Sequence, residues 1–122
     1  MNTWQLLLLY MFMEYLWIST MTPLFYQIVF SDIQKSPMKP NMMYAILAYV
    51  LIIMTIMYIC VPLSTTYKHT WLAFGMVGLC VYGIYNTTNA AVFKNYPLDM
   101  VLIDTMWGFV CFSILGIMYT KD

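Results

Sequence analysis

The chain has 122 residues, 63% of them hydrophobic, and its five basic and five acidic residues leave no net charge; every basic residue is a lysine. So much apolar surface cannot be hidden inside a soluble domain of this length. Nucleic acid is excluded as a partner because a phosphate-binding surface needs clustered Lys or Arg, and no polybasic stretch for lipid headgroups is present either.

The first apolar stretch predicts a membrane helix from about Trp4 to about Phe30, with Pro23 available to bend its last turns. It lacks a basic n-region, carries an acid in its middle and is too long for the apolar part of a signal peptide. The segment 31–41, with two prolines, two lysines and Asp32, predicts a loop. A second helix is expected from Met42 to Val61, ended by Pro62 and followed by the polar turn Ser64 to His69. A third is expected from Trp71 to Ala91 and a fourth from Leu98 to Tyr119, joined by Phe93-Lys-Asn-Tyr-Pro97, with Lys121 and Asp122 closing the chain.

Spans of about 20 residues fit the bilayer core, and four of them use most of the chain, which leaves one domain over residues 1–122. Backbone groups inside hydrocarbon must pair within their own segment, so the expected fold is all-α, a polytopic integral membrane four-helix bundle. Lys35, Lys39 and Lys94 lie on one face, and Lys68, Lys121 and the terminal amine on the other; this slight bias places loops one and three on the cytoplasmic side. Trp4, Trp71, Tyr67, Tyr96 and Tyr119 fall near helix ends, where rings anchor at the headgroups.

Several motifs read as packing. Cys60, Cys80 and Cys111 lie in apolar stretches without C-x-x-C spacing and are expected as small buried hydrophobes. The thirteen methionines form no ladder with Cys or His of the kind a soft metal ion needs, so flexible core packing is expected of them. Asn86-Thr87-Thr88 matches a glycosylation sequon but stands at the membrane end of an apolar run. His69, beside Lys68 at a loop edge, reads as solvated. No Ser/His/Asp set, H-E-x-x-H motif or glycine-rich phosphate loop is present, and the sequence calls for no enzyme, cofactor or metal.

Two acids inside predicted spans, Glu14 and Asp104, have no basic residue in any span. Each is followed three residues later by a tryptophan, Trp17 and Trp107, which a helix places on the same face one turn on. Helical side chains lean toward the N-terminus, so each indole is expected to cover or hydrogen-bond its own acid. Asp104, Gly108 and Cys111 make a small-residue stripe that admits a neighbouring helix. The third helix offers Gly75, Gly78, Tyr82, Tyr85 and Asn89 at three- and four-residue intervals, with Asn86 slightly off that line. Asn86, Asn89 and Asp104 are expected at similar depth near the third loop, and Glu14 near the bilayer middle, with its reach to Asp104 left open. Acids so placed are either protonated, held by neutral polar groups, or ligands of a proton or cation path.

The strings Gly78-Leu-Cys-Val-Tyr-Gly-Ile-Tyr-Asn-Thr-Thr-Asn89, Phe93-Lys-Asn-Tyr-Pro-Leu98 and Ile103-Asp-Thr-Met-Trp-Gly108 resemble domain-of-unknown-function family 2177, small membrane proteins of bacteria, algae and some large DNA viruses. Family members share an acid-x-x-Trp in the first helix, a Tyr-rich second helix ending in Pro, a Tyr-Asp-x-Thr-Asn motif, and Asp-x-x-Trp-Gly in the last helix. The resemblance falls on Glu14, Trp17, Pro62, Tyr82, Tyr85, Thr88, Asn89, Asp104, Trp107 and Gly108. Glu14 stands where the family usually has Asp, and Asn86 where it usually has an acid, which weakens a multi-carboxylate cation site. The resemblance implies four membrane helices and no established activity.

The functional expectation is a structural or oligomerising membrane component with a buried polar site, its partners the lipid bilayer and copies of itself or other membrane proteins. The alternative is a small proton or cation transporter or channel subunit using Glu14 and Asp104. The Lys-only, Ile-, Met- and Asn-rich composition suits an A/T-rich genome and a viral membrane protein; the expected location is an integral, multi-pass one in the plasma membrane or, for a viral protein, in a virion or host membrane.

Overall fold

A computed structural model describes residues 1–39 and 41–119; Pro40, Lys121 and Asp122, which the sequence reading places in the first loop and at the chain end, lie outside the described residues. The fold is all-α, four helical rods with no strand among the described residues. The first rod comprises α1 (Thr3–Met21), a π turn (Thr22–Tyr26) and α2 (Gln27–Gln34). The second comprises α3 (Met42–Thr55), a π turn (Ile56–Cys60) and α4 (Val61–Thr66). The third and fourth are the unbroken helices α5 (Thr70–Val92) and α6 (Leu98–Met118).

Local chemistry sets the ends. Asn2 Oδ1 accepts from the Gln5 amide while Gln5 Oε1 accepts from the Asn2 amide, each at 3.0 Å, a reciprocal cap that starts α1. Asn41 Oδ1 accepts from the Met43 amide at 3.1 Å and starts α3. Ser31 to Gln34, expected in the loop, are the last turn of α2, since polar residues suit a helix end that leaves the apolar region. Lys35 then takes the left-handed conformation at φ 60° and stops the helix.

The second rod also runs past its expected end at Val61 and continues through Pro62 to Thr66. Proline lacks an N–H and crowds the carbonyl four residues back. The wide turn before it relieves that conflict, with the Val61 amide bonding five residues back to Ile56. The π turn beside Pro23 is built in the same way, the Gln27 amide bonding to Thr22.

The helices α5 and α6 form a tight antiparallel hairpin. At its open end Gly116 lies against Trp71, and midway Gly78 faces Gly108. A Cβ added at Gly108 would stand 2.6 Å from the Gly78 carbonyl oxygen, and one at Gly78 would stand 2.6 Å from Phe112 Cβ. Only residues without a side chain permit this approach. The rod containing α1 lies antiparallel to α6: the Met1 ammonium donates to the Met118 carbonyl at 2.8 Å, the Tyr10 and Phe112 rings meet at 5.9 Å, and Trp17 stacks on Trp107.

Leu6, Tyr10, Phe74, Cys111, Phe112 and Leu115 are the core of these three rods. The second rod reaches it with Ile56 and Cys60, the buried residues of its π turn. Cys80, expected to be buried like Cys60 and Cys111, is exposed, because the second rod stands off from α5 at that level. Two rods, Met42–Thr66 and Leu98–Met118, are long and apolar enough to cross a membrane.

Gly108→Ala is expected to cost about 1–3 kcal/mol, because its methyl would overlap backbone that cannot rotate away. A Cβ at Gly83 would meet only Thr105 Cγ2, at 3.4 Å, so Gly83→Ala is expected to leave stability unchanged or raise it by up to about 1 kcal/mol. Thermal unfolding of the two variants in detergent separates these outcomes.

Candidate functional site

The site grows from the faces that α1, α5 and α6 turn toward each other. Along α5 the buried line is Gly75, Gly78, Tyr82 and Asn86. It therefore continues to Asn86 rather than to Tyr85 and Asn89, a correction to the expected stripe. On α6 the line is Asp104, Gly108, Cys111 and Leu115, and on α1 it includes Tyr10 and Glu14.

Glu14 Oε2 accepts from the Tyr82 hydroxyl at 3.1 Å and from the Trp107 indole at 3.0 Å. Since the Tyr82 proton is given to Glu14, the 2.8 Å contact between the Tyr10 and Tyr82 hydroxyls has Tyr10 as donor. Asp104 is served on both oxygens: the Tyr26 hydroxyl donates to Oδ1 and the Asn86 amide to Oδ2. The same Asn86 nitrogen gives its other hydrogen to the Tyr82 carbonyl at 2.8 Å, and Asn86 Oδ1 accepts from the Tyr96 hydroxyl at 2.7 Å. Asn86 has no exposed surface and every polar atom of its side chain is paired, which leaves no acceptor nitrogen for a glycan.

The tryptophans do not serve their own acids. Trp107, one turn after Asp104, donates to Glu14, and Trp17, one turn after Glu14, donates at 2.6 Å to Tyr26, which in turn donates to Asp104. The two indoles stack face to face between the helices, 4.4 Å apart and 2° from parallel. The expectation that each indole covers the acid in its own turn is thus corrected to an exchange. The stacked pair sends the Trp107 N–H across to α1 and the Trp17 N–H along its own rod to Tyr26, and the two contacting ring faces are covered at once.

Tyr26 reaches this site because of the π turn. At about 100° per residue, the nine residues from Trp17 to Tyr26 would place the two side chains about 180° apart on a regular α-helix. One extra residue absorbed by the wide turn reduces that to about 80°, within reach of one another. Pro23 is the sequence feature behind the turn, but a 3.6-residue periodicity conceals its effect.

Of the residues singled out from sequence, Glu14, Trp17, Tyr82, Asn86, Asp104, Trp107 and Gly108 come together, Gly108 packing against the Tyr82 ring. Tyr85 and Thr88 face outward. Asn89 is half-buried at the rim, beside Tyr85 and Tyr96. The sequence reading missed Tyr10, Tyr26 and Tyr96. Tyr10 was within reach of it, one turn before Glu14 on the same face. Tyr96, expected as a headgroup anchor, is buried by folding of the third loop back over Asn86, and burial holds its phenol above the ordinary range, so it remains a donor. No group of three or more His, Cys, Asp or Glu side chains is placed to hold a metal among the described residues.

The chain matches the family described as "Predicted membrane protein (DUF2177)" over residues 2–120, and so belongs to that family. No curated protein and no solved structure matches it.

The two acids differ in what an amide would disturb. Glu14 takes both of its bonds on one oxygen, which a glutamine oxygen can still do. Asp104 takes donors on both oxygens, so Asp104→Asn must turn its NH2 either against the Asn86 NH2 or toward the Tyr26 hydroxyl, whose proton then loses its acceptor. Asp104→Asn is expected to cost about 1–3 kcal/mol and Glu14→Gln about 1 kcal/mol or less. Unfolding midpoints of the two variants check the order.

Proposed function

We propose that this member of the DUF2177 family is a multi-pass membrane protein whose four rods all cross the bilayer, and that it acts by helix packing and assembly rather than by catalysis or transport. The family description and the two long apolar rods support the membrane placement. Length supports the remaining spans, since the 23 residues of α5 rise about 35 Å against a hydrocarbon core of about 30 Å.

One observation carries the preference for packing over transport. One route between the two acids runs through Trp107, Trp17 and Tyr26, and an indole N–H donates but does not accept. A proton relay needs groups that can both receive and release a proton at each step. The other route runs through the Asn86 amide and the Tyr82 carbonyl, neither of which passes a proton on. What the arrangement does well is tie three helices together through acceptors that would be costly to leave unpaired in hydrocarbon. Mutual attachment of α1, α5 and α6 leaves the outer apolar faces free to meet lipid or another copy of the chain.

The test is gradient-driven flux in proteoliposomes. The parent protein is expected to carry no proton or alkali-cation flux above empty vesicles, while Asp104→Asn lowers its unfolding temperature. Flux in the parent that disappears in a folded Asp104→Asn variant would replace this reading with a transporter whose site is Asp104.

A further inference from the structure

The second rod leaves α5 with an apolar groove of about 780 Å³. One wall is Ile59 and Leu63; the other is Leu72, Met76, Cys80 and Ile84. Where the two rods turn into one another its mouth is formed by Tyr67, Lys68 and His69, and among the described residues no acid lines it. The first turn of α5 carries no acid either. The groove is thus amphipathic along its length, basic at one end and hydrocarbon for the remainder.

We infer that this groove holds one anionic phospholipid, its phosphate at Lys68 and His69 and an acyl chain along α5. The dimensions agree. From His69 to Ile84 the helix rises about 22 Å, more than the depth of one leaflet of a core about 30 Å thick. The level agrees as well, since exposed Tyr67 and Trp71 flank the mouth, where amphipathic rings sit among headgroups. Charge selects the headgroup: Lys68, with the imidazole of His69 beside it and no acid lining the groove among the described residues, favours a net-negative lipid over a zwitterion, a local pair rather than a polybasic stretch. The standing-off of the second rod, which exposes Cys80, is then the space that the chain of the lipid fills.

This site rests on the membrane placement proposed above, and the experiment keeps the two apart. Full-length protein is first tested for resistance to carbonate extraction; release from the membrane would overturn the membrane placement and the lipid site with it. Retained protein is then purified in detergent, exposed to equimolar phosphatidylglycerol and phosphatidylcholine, and examined by native mass spectrometry. A preference for the anionic lipid of at least about fivefold is expected, the value one basic residue supplies near a membrane surface. The double variant Lys68→Gln/His69→Gln is expected to lose that preference while Lys94→Gln, in the third loop, keeps it. Cys80→Trp, which fills the groove from an exposed position, is expected to reduce bound anionic lipid with the unfolding temperature unchanged. Equal retention of both lipids by the parent, a preference surviving in the double variant, or full displacement of the lipid by glycerol phosphate would each overturn the proposal, the last by assigning the site to a headgroup alone.

Discussion

A carboxyl group surrounded by apolar helices with no base in reach must be supplied with hydrogen-bond donors, and the architecture of α1, α5 and α6 follows from that requirement. Two such groups are present, and their donors are shared out across the helices instead of within them: Tyr82 and Trp107 for Glu14, Tyr26 and Asn86 for Asp104. Because each acid depends on residues of another rod, separating any of the three would leave a polar group unpaired where water cannot replace the partner. The network therefore specifies which helices meet and in what register, something that apolar contacts alone specify poorly when lipid is as apolar as the side chains.

Close approach is the precondition for that network. The glycines Gly78 and Gly108 bring α5 and α6 backbone to backbone, and that proximity lets a short amide such as Asn86 bridge from the Tyr82 carbonyl to Asp104. The π turn at Thr22–Tyr26 plays the corresponding part in the first rod by rotating Tyr26 onto the face shared by Trp17. Backbone geometry and polar chemistry are mutually dependent here.

The second rod stands outside this arrangement. It contributes Ile56 and Cys60 to the core and is otherwise largely exposed, so its attachment is apolar and local while the other three rods are tied by polar bonds. That difference divides the molecule into a trio joined by polar bonds and a fourth rod joined by apolar contacts, with the groove lying at their junction.

Much of this was legible in the chain. Helix number and approximate extent follow from apolar run length, and the importance of Glu14 and Asp104 follows from the absence of any basic residue in the spans. The inward stripe of Asp104, Gly108 and Cys111 follows from helical periodicity, because residues three and four apart share a face regardless of what lies opposite. Family membership was legible in the acid-x-x-Trp and Asp-x-x-Trp-Gly strings. What the sequence determined, then, is whatever depends on one helix at a time. The exchange of tryptophans between acids, the choice of Asn86 over Tyr85 and Asn89, and the recruitment of Tyr26 and Tyr96 were decided only by tertiary structure. Each of these depends on the angle and distance between two rods, or on one residue of register absorbed at a π turn, and those quantities come into being when the helices pack.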